Sequence, residues 1–193
     1  MNQYRSIRLT IAAILLSAAM VATAPGQTLY TSPHGGTLAA ITDAIDHAQD
    51  HVLIYAYSFT LEPVADSLVA AHRRGCKCVV LADRLQSSTK YSQISRLVRA
   101  GVPVYFLLTG GDQHAKTIII DREQIFLGSY NLSHRAETAN LEHTIYLTHP
   151  QIAQRLIEEF AKLPTRRLKP YAADAKHLCP THPSCPGDQP WSK

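Results

Sequence analysis

The sequence predicts an α/β fold with a mixed, largely parallel central sheet. Short apolar runs alternate three times with longer stretches in which apolar residues recur every three or four positions. The runs lie at 52–57, 78–82 and 104–108, and the longer stretches at 38–48, 63–74 and 91–100. Such an alternation of strand and helix favours parallel pairing through crossover helices. The run at 52–57 is almost entirely apolar, which is typical of a strand buried on both faces.

Length and composition indicate one globular domain. The chain has 193 residues, of which 46% are hydrophobic, and this is enough for a single domain with a substantial core. Residues 27–163 carry 12 basic and 13 acidic side chains, so a basic surface for nucleic acid is weak there. Residues 164–193 carry five basic and two acidic side chains, which indicates either a modest nucleic-acid contact or a solubilising tail.

The N-terminal segment, residues 1–26, has the pattern of a secretory signal peptide. Arg5 and Arg8 precede an uncharged run, 9–24, that is rich in Leu, Ile and Ala. This predicts a periplasmic or secreted protein, with no stable membrane insertion after cleavage. The alternative is an uncleaved membrane anchor, although the run is short for a span of about 20 residues.

The second half of the chain supplies further strands and a closing helix. Strands are predicted at 117–120, 124–127 and 141–147, a short helix or loop at 131–139, and an amphipathic helix at 151–163. The polar stretch at 83–90 predicts an exposed loop. After residue 163 prolines are frequent and no apolar period is present. We therefore expect a catalytic domain over 27–163 and a loose tail over 164–193.

Four cysteines in an exported protein can form disulfides, and their pairing stays open. Cys76 and Cys78 lie two apart on a predicted strand, which is poor geometry for a bridge between them. Cys179 and Cys185 enclose a Pro-rich loop and could pair, or one of them could bind Cys76 or Cys78. The irregular spacing disfavours a zinc site.

A cluster of polar residues at two strand ends points to phosphate chemistry. His114 and Lys116 lie two apart at the start of a strand, so their side chains lean the same way, and Ser129 and Asn131 repeat this spacing after the next strand. A neutral imidazole can attack phosphorus or move a proton near pH 7, while the ammonium, hydroxyl and amide can bind phosphate oxygens. Taken singly, such residues are more often structural or solvated. Together they need no metal or cofactor.

The spacing of this cluster resembles the HKD signature of the phospholipase D superfamily. The pattern is His-x-Lys, four residues, Asp, six residues, Gly-Ser-x-Asn, and it is carried here by His114, Lys116, Asp121, Gly128, Ser129 and Asn131. A second similarity, through Tyr57-Ser58-Phe59-Thr60 and Gly128-Ser129-Tyr130-Asn131, is to the small bacterial Nuc-type endonucleases. The resemblance covers most of 29–162 and implies an α-β-α sandwich. The chain holds one copy of the motif, whereas larger members carry two.

The resemblance implies a homodimer, because two HKD motifs meet at one site in the family. His114 of one subunit would attack phosphorus to form a phosphohistidine, and the other His114 would protonate the leaving oxygen. Lys116 and Asn131 would stabilise the charge of the transition state.

Four more residues receive supporting roles from the resemblance. Ser129 would bind the phosphate or support the neighbouring histidine, and Gly128 would allow a close backbone approach. Asp121 sits in the turn between two strands and is generally structural in relatives. Glu142 matches a glutamate that orients the attacking imidazole in the small nucleases, although alone it would be interpreted as an exposed carboxylate.

Three functions fit these residues. The first is a metal-independent endonuclease that hydrolyses DNA or RNA without sequence preference, since contacts to backbone phosphate need little base recognition. The second is a phospholipase D-type lipid hydrolase, for which the motif serves equally. The third is a non-catalytic adaptor of the cell envelope, which the intact motif disfavours.

Overall fold

The structure is a computed structural model that describes residues 26–168. Nearly all of the predicted signal peptide, most of the predicted tail, Cys179 and Cys185 therefore lie outside the described residues. The strands are β1 (Gln27–Ser32), β2 (His51–Ala56), β3 (Lys77–Ala82), β4 (Val104–Leu107), β5 (Thr117–Ile120), β6 (Gln124–Gly128), β7 (Glu142–Thr148) and β8 (Thr165–Leu168). The helices are α1 (Thr37–Asp46), α2 (Glu62–Arg73), α3 (Arg84–Ser87), α4 (Ile94–Arg99), α5 (His134–Thr138) and α6 (Pro150–Lys162).

The strands form one mixed sheet in the order β1-β7-β6-β5-β2-β3-β4-β8. The predicted crossover units are confirmed, since β2, β3 and β4 pair in parallel. The expectation of a largely parallel sheet is wrong for the rest, because the other five pairings are antiparallel. The reason is local for β5 and β6, which are joined by the three-residue turn 121–123, too short for a parallel crossover.

The sheet is covered by helices on both faces, which confirms the predicted α-β-α sandwich. On one face, α1, α2, α4 and α5 bury apolar side chains such as Ile45, Leu68 and Leu97 against the sheet. On the other, α6 packs Ala153, Ile157 and Phe160 against it. All six residues of β2 are buried, as the apolar run at 52–57 predicts for a central strand.

Both edge strands were missed by the sequence analysis. No strand was predicted over residues 27–32, and the pairing of β1 with β7 supplies long-range hydrogen bonds that no apolar period in the sequence indicates. β8 lies in the predicted tail and pairs with β4. The last described strand therefore ends five residues beyond the predicted boundary at 163, and the boundary itself stays a prediction.

One local expectation is also revised. The predicted exposed loop at 83–90 begins with the short helix α3, because the carboxylate of Asp83 accepts the backbone N–H of Gln86 at 2.9 Å. Cys76 and Cys78 are free thiols, both buried. Burial raises the pKa of each thiol, so neither is a reactive thiolate in the folded protein. None of the helices within 26–168 is long and apolar enough to cross a membrane.

Candidate active site

The predicted site residues lie at one edge of the sheet, where four strands begin or end. β2 ends at Ala56, and its antiparallel neighbour β5 begins at Thr117, which pairs with Tyr55. β6 ends at Gly128, which pairs with Thr144 of β7. The three short antiparallel pairings therefore bring residues that are far apart in the chain to the same edge.

His114 and Lys116 meet at this edge around the ring of Tyr57. The imidazole of His114 is exposed, and its ring centroid lies 4.5 Å from that of Tyr57 in an edge-on arrangement. The ammonium of Lys116 lies over the same ring, 4.6 Å from its centroid, and donates a hydrogen bond of 2.6 Å to the carbonyl oxygen of His114. The structure thus brings together the two residues that were assigned the nucleophile and the fixed positive charge.

The electrostatic environment of Lys116 is unusual for a lysine. Partial burial lowers the pKa of its ammonium from the ordinary 10.5, and the negative charge of Glu142 acts in the opposite direction. A partly desolvated ammonium loses part of its hydration and interacts more strongly with a bound anion. This is the property that charge neutralisation of a phosphate needs.

Gly128 is required by the packing of two strands. A Cβ at this position would lie 2.0 Å from the carbonyl oxygen of His143 and 3.0 Å from the Cα of Thr144. The close backbone approach that we expected is therefore the approach of β7. It places the end of β6 beside Lys116, whose carbonyl oxygen accepts the N–H of Gly128 at 3.3 Å.

Ser129 joins the ends of β6 and β7. Its backbone N–H donates to the carbonyl oxygen of His143 at 3.0 Å, and its hydroxyl accepts the N–H of His143 at 3.2 Å. Since the hydroxyl oxygen is the acceptor, its proton stays available for donation to another group. The side chain is exposed, so a phosphate oxygen could be that group.

Asn131 follows in a loop that is fixed against the end of β2. The next residue, Leu132, forms a bridge with Phe59, and its carbonyl oxygen accepts the N–H groups of Thr60 and Leu61 at 2.7 and 3.1 Å. The side-chain oxygen of Asn131 is buried and has no hydrogen-bond partner within residues 26–168. A buried acceptor without a partner is uncommon in folded proteins, and this oxygen is free to accept a hydrogen bond from a bound molecule or a second chain.

Glu142 lies at the same edge, but its contacts differ from the predicted one. We expected its carboxylate to orient the imidazole of His114. In the structure, Oε1 of Glu142 accepts a hydrogen bond of 3.0 Å from the amide of Asn140, and its charge acts on Lys116. Its role toward His114 therefore stays a prediction.

Asp121 lies at the opposite end of β5 and is not part of the cluster. Its carboxylate accepts the backbone N–H groups of Gln49, Asp50 and His51 at 2.9, 2.8 and 3.0 Å. These bonds lower the pKa of Asp121 although burial opposes them. The predicted structural role fits this geometry, since Asp121 holds the segment that leads into β2.

Three residues that make contacts at the site were given no role from the sequence: Tyr57, Gln86 and Asn140. Tyr57 was noted only as part of a similarity, although it contacts both His114 and Lys116. Gln86 donates to the hydroxyl of Tyr57 at 3.3 Å, and Asn140 binds Glu142. The position of Tyr57 directly after a buried strand was a usable indication of its role, whereas nothing local in the sequence indicates the contacts of Gln86 and Asn140.

Comparisons with known proteins agree with this fold. Residues 41–164 match the family described as "Cardiolipin synthase, PLD-like domain". A phospholipase D of Rickettsia felis is 31% identical over 134 residues, which cover 69% of this chain and 66% of the relative. A mitochondrial cardiolipin hydrolase of Chlamydomonas reinhardtii is 28% identical over 127 residues, which cover 66% of this chain and 57% of the relative. The matched region thus spans less than two thirds of these relatives.

A solved structure gives the same result at the level of the fold. The crystal structure of Nuc from Salmonella typhimurium, a phospholipase D family member, superposes with a TM-score of 0.71 at 27% identity. The alignment covers 76% of this chain and 99% of Nuc. The central sheet and its helical layers are therefore those of a known fold, and the chain belongs to the family of phospholipase D-like domains.

Proposed function

We propose that this protein is a phosphodiesterase that hydrolyses the backbone of DNA or RNA through a phosphohistidine, in a homodimer and without a metal ion. One observation carries the proposal: the exposed imidazole of His114, the partly desolvated ammonium of Lys116 and the hydroxyl of Ser129, with its proton free to donate, meet at one edge of the sheet beside the amide of Asn131. This set can attack, hold and neutralise a phosphodiester using side chains alone.

The first step breaks the ester bond. A ring nitrogen of His114 attacks phosphorus and forms a P–N bond while the P–O bond to the leaving group breaks. A second imidazole gives its proton to the leaving oxygen. In the second step that imidazole takes a proton from water, the resulting hydroxide attacks phosphorus, and the P–N bond breaks to release the phosphomonoester and His114.

Lys116, Ser129 and Asn131 act on the non-bridging oxygens. The ammonium of Lys116 stabilises the negative charge that builds up on these oxygens in the pentacoordinate transition state. The hydroxyl of Ser129 retains a proton to donate, and the amide of Asn131 supplies a neutral donor. Removing one such donor typically lowers kcat by about 100-fold or more.

The mechanism needs two imidazoles, and we propose that the second is the partner subunit's His114. His143 is near in the chain, but it follows Glu142 directly on β7 and therefore points to the opposite face of the sheet. A two-fold dimer would place equal residues in unlike roles. Light scattering combined with activity tests this: full specific activity in a strictly monomeric fraction would contradict the dimer.

Nucleic acid is the proposed substrate because of the size and surface of the domain. The alignment with Nuc covers nearly all of that protein, so the two share one compact unit. Arg84, Lys90 and Arg135 are exposed and follow β3 or β6 on the edge that carries the site. There they can contact phosphates on either side of the cleaved one, which offsets the near-neutral charge of the domain.

A lipid hydrolase is the second candidate, and the names of the relatives favour it. The Rickettsia felis relative is named phospholipase D, and the Chlamydomonas reinhardtii relative is named mitochondrial cardiolipin hydrolase. Both substrate classes present the same phosphodiester to His114. The choice between them therefore depends on the groups around the site.

One experiment separates the three candidate functions. Purified protein is incubated with plasmid DNA, RNA and a fluorescent phospholipid, with and without excess EDTA. His114→Ala is tested beside the control His47→Ala, which removes an exposed imidazole at the C-terminal end of α1. We expect nucleic-acid cleavage that survives EDTA, is lost in His114→Ala and is retained in His47→Ala. Cleavage of phospholipid alone supports the lipid hydrolase, and no cleavage by any variant supports the adaptor. Cleavage that EDTA abolishes refutes the metal-free mechanism.

We also propose that the protein acts outside the cytoplasm, after removal of residues 1–26. The charged and apolar pattern of this segment supports the proposal. N-terminal sequencing of the protein recovered from the periplasm or medium should begin close to residue 27. Recovery of the intact N-terminus from the membrane fraction would support the anchor instead.

A further inference from the structure

Tyr57 is the residue that contacts both reacting side chains. Its ring lies edge-on to the imidazole of His114, with 4.5 Å between centroids, and beneath the ammonium of Lys116, at 4.6 Å from the nitrogen. Its hydroxyl accepts a hydrogen bond of 3.3 Å from Gln86 on α3. The ring is thus fixed at one end by its strand and at the other by a neighbouring helix.

The imidazole of His114 depends on this contact for its orientation. It is exposed, and no hydrogen bond to either ring nitrogen is present in the part of the chain that the structure describes. The carboxylate expected to orient it, Glu142, is bound by Asn140. An exposed side chain without such a partner populates several rotamers, and only one of them places the nitrogen for attack.

Lys116 is held in a similar way. Its ammonium donates to the carbonyl oxygen of His114 and lies over the face of Tyr57. A cation over an aromatic face is attracted by the negative face of the ring, and the attraction increases with desolvation. Lys116 is partly buried, and this partial desolvation lowers the pKa of its ammonium. The ring of Tyr57 therefore fixes the imidazole of His114 and the ammonium of Lys116 relative to each other. Both groups must act on the same phosphorus.

We propose that Tyr57 is a positioning residue of the phosphodiesterase site, which holds the imidazole of His114 and the ammonium of Lys116 in register. The proposal rests on the function proposed above, because the register matters only for a reaction at both groups. The aromatic ring of Tyr57 holds the two side chains, and its hydroxyl contributes only through the hydrogen bond with Gln86. The face and edge of the ring are needed, and any planar aromatic side chain of similar size can supply them.

The kinetic test compares Tyr57→Leu with Tyr57→Phe. We expect Leu to lower kcat by about 10- to 100-fold, as misplacement of reacting groups by about 1 Å does, with KM changed by less than about threefold. Phe keeps the ring and should restore kcat to within about threefold of the original. A kcat unchanged in Tyr57→Leu, or lowered equally by Leu and Phe, would overturn the positioning role of the ring.

Tyr146→Leu is the matched control. Tyr146 is also partly buried, contacts one aromatic ring, Phe126 at 4.9 Å, and has a glutamine partner, Gln124 at 3.2 Å. It belongs to the packing of the sheet away from His114. We expect this variant to lower the midpoint of unfolding while kcat stays within about twofold. If it lowers kcat as much as Tyr57→Leu, the loss reflects stability and the proposal fails.

A measurement without substrate separates this proposal from the proposed function. In the NMR spectrum of the unliganded protein, the ring resonance of His114 is identified by its loss in His114→Ala. Because the ring of Tyr57 shifts nearby resonances, we expect Tyr57→Leu to move this signal more than that of any other histidine. An unmoved signal refutes the contact even in an active enzyme. A moved signal with no hydrolysis of any substrate leaves the contact standing and refutes the proposed function.

Discussion

Replacing Asp121 should affect the stability of the protein and leave the chemistry intact, although Asp121 belongs to the HKD pattern. Asp121→Asn keeps the size of the side chain and removes its charge. It also suits the left-handed backbone at this position, where φ is 49°, since Asn tolerates that conformation. The change therefore isolates the carboxylate from the geometry of the turn.

The size of the effect follows from three hydrogen bonds. The carboxylate accepts the backbone N–H groups of Gln49, Asp50 and His51 at 2.8 to 3.0 Å. A hydrogen bond to a charged acceptor contributes about 1.5–3 kcal/mol, but Asp121 is partly exposed and Asn keeps one acceptor oxygen. We therefore expect a loss of about 2 kcal/mol in the free energy of unfolding, measured by urea denaturation.

The same variant gives a pH dependence with a defined sign. The backbone N–H groups lower the pKa of Asp121 from its ordinary 3.8. A carboxyl with a lowered pKa in the folded state contributes stability above about pH 4 and loses it as the pH falls through the folded value. The difference in unfolding free energy between the original protein and Asp121→Asn should thus be constant near pH 7 and shrink below pH 4.

Activity is the second half of this prediction. Asp121 and Lys116 flank β5 five positions apart, which corresponds to about 17 Å at 3.3 Å per position. At that distance the carboxylate touches no reacting atom, so kcat at a temperature well below unfolding should change by less than about threefold. A variant with unchanged stability and a kcat lowered more than tenfold would refute a structural role for Asp121.

Three further predictions follow from single contacts. Gly128→Ala should lower the unfolding free energy by about 1–3 kcal/mol and reduce kcat, because its Cβ would lie 2.0 Å from the carbonyl oxygen of His143. The control Gly110→Ala should change neither quantity, because no atom lies within 4 Å of its Cβ. If Lys116 must be protonated, kcat/KM should fall as pH rises through its lowered pKa, below pH 10.5, and Lys116→Arg should move this fall upward. The buried thiol of Cys78 should react with an alkylating reagent only on unfolding, as mass spectrometry can follow.

The sequence was most informative where local pattern decides structure. The run at 52–57 predicts a central strand because a strand with no polar face must be covered on both sides. His114 and Lys116 precede β5, and Ser129 follows β6. A common site is predicted because the tight turn between these antiparallel strands brings the start of β5 and the end of β6 to the same edge. In both cases the deciding signal, an apolar run or a short turn, lies within a few residues along the chain.

The rest depends on contacts that the sequence does not encode locally. β1 and β8 are short edge strands, held by backbone pairing with β7 and β4, and their side chains have no period that distinguishes them from loops. The hydrogen-bond partner of Glu142 also depends on such a contact. The position of Glu142 at the start of a strand was predicted, but whether its carboxylate binds His114 or Asn140 depends on side-chain geometry at the start of β7.

The state of Glu142 also bears on how the site is completed. An attacking imidazole needs an acceptor for its second nitrogen, and in the single chain the nearby carboxylate is bound by Asn140 while the imidazole is exposed. The imidazole of His114 must react away from bulk water, and its exposure is a reason to expect a second protein surface that covers it. A second subunit could supply that cover together with the second imidazole. Tyr57 and a partner subunit would then meet separate requirements of the reaction. Tyr57 would fix the rotamer of His114, and the partner would shield its imidazole from water.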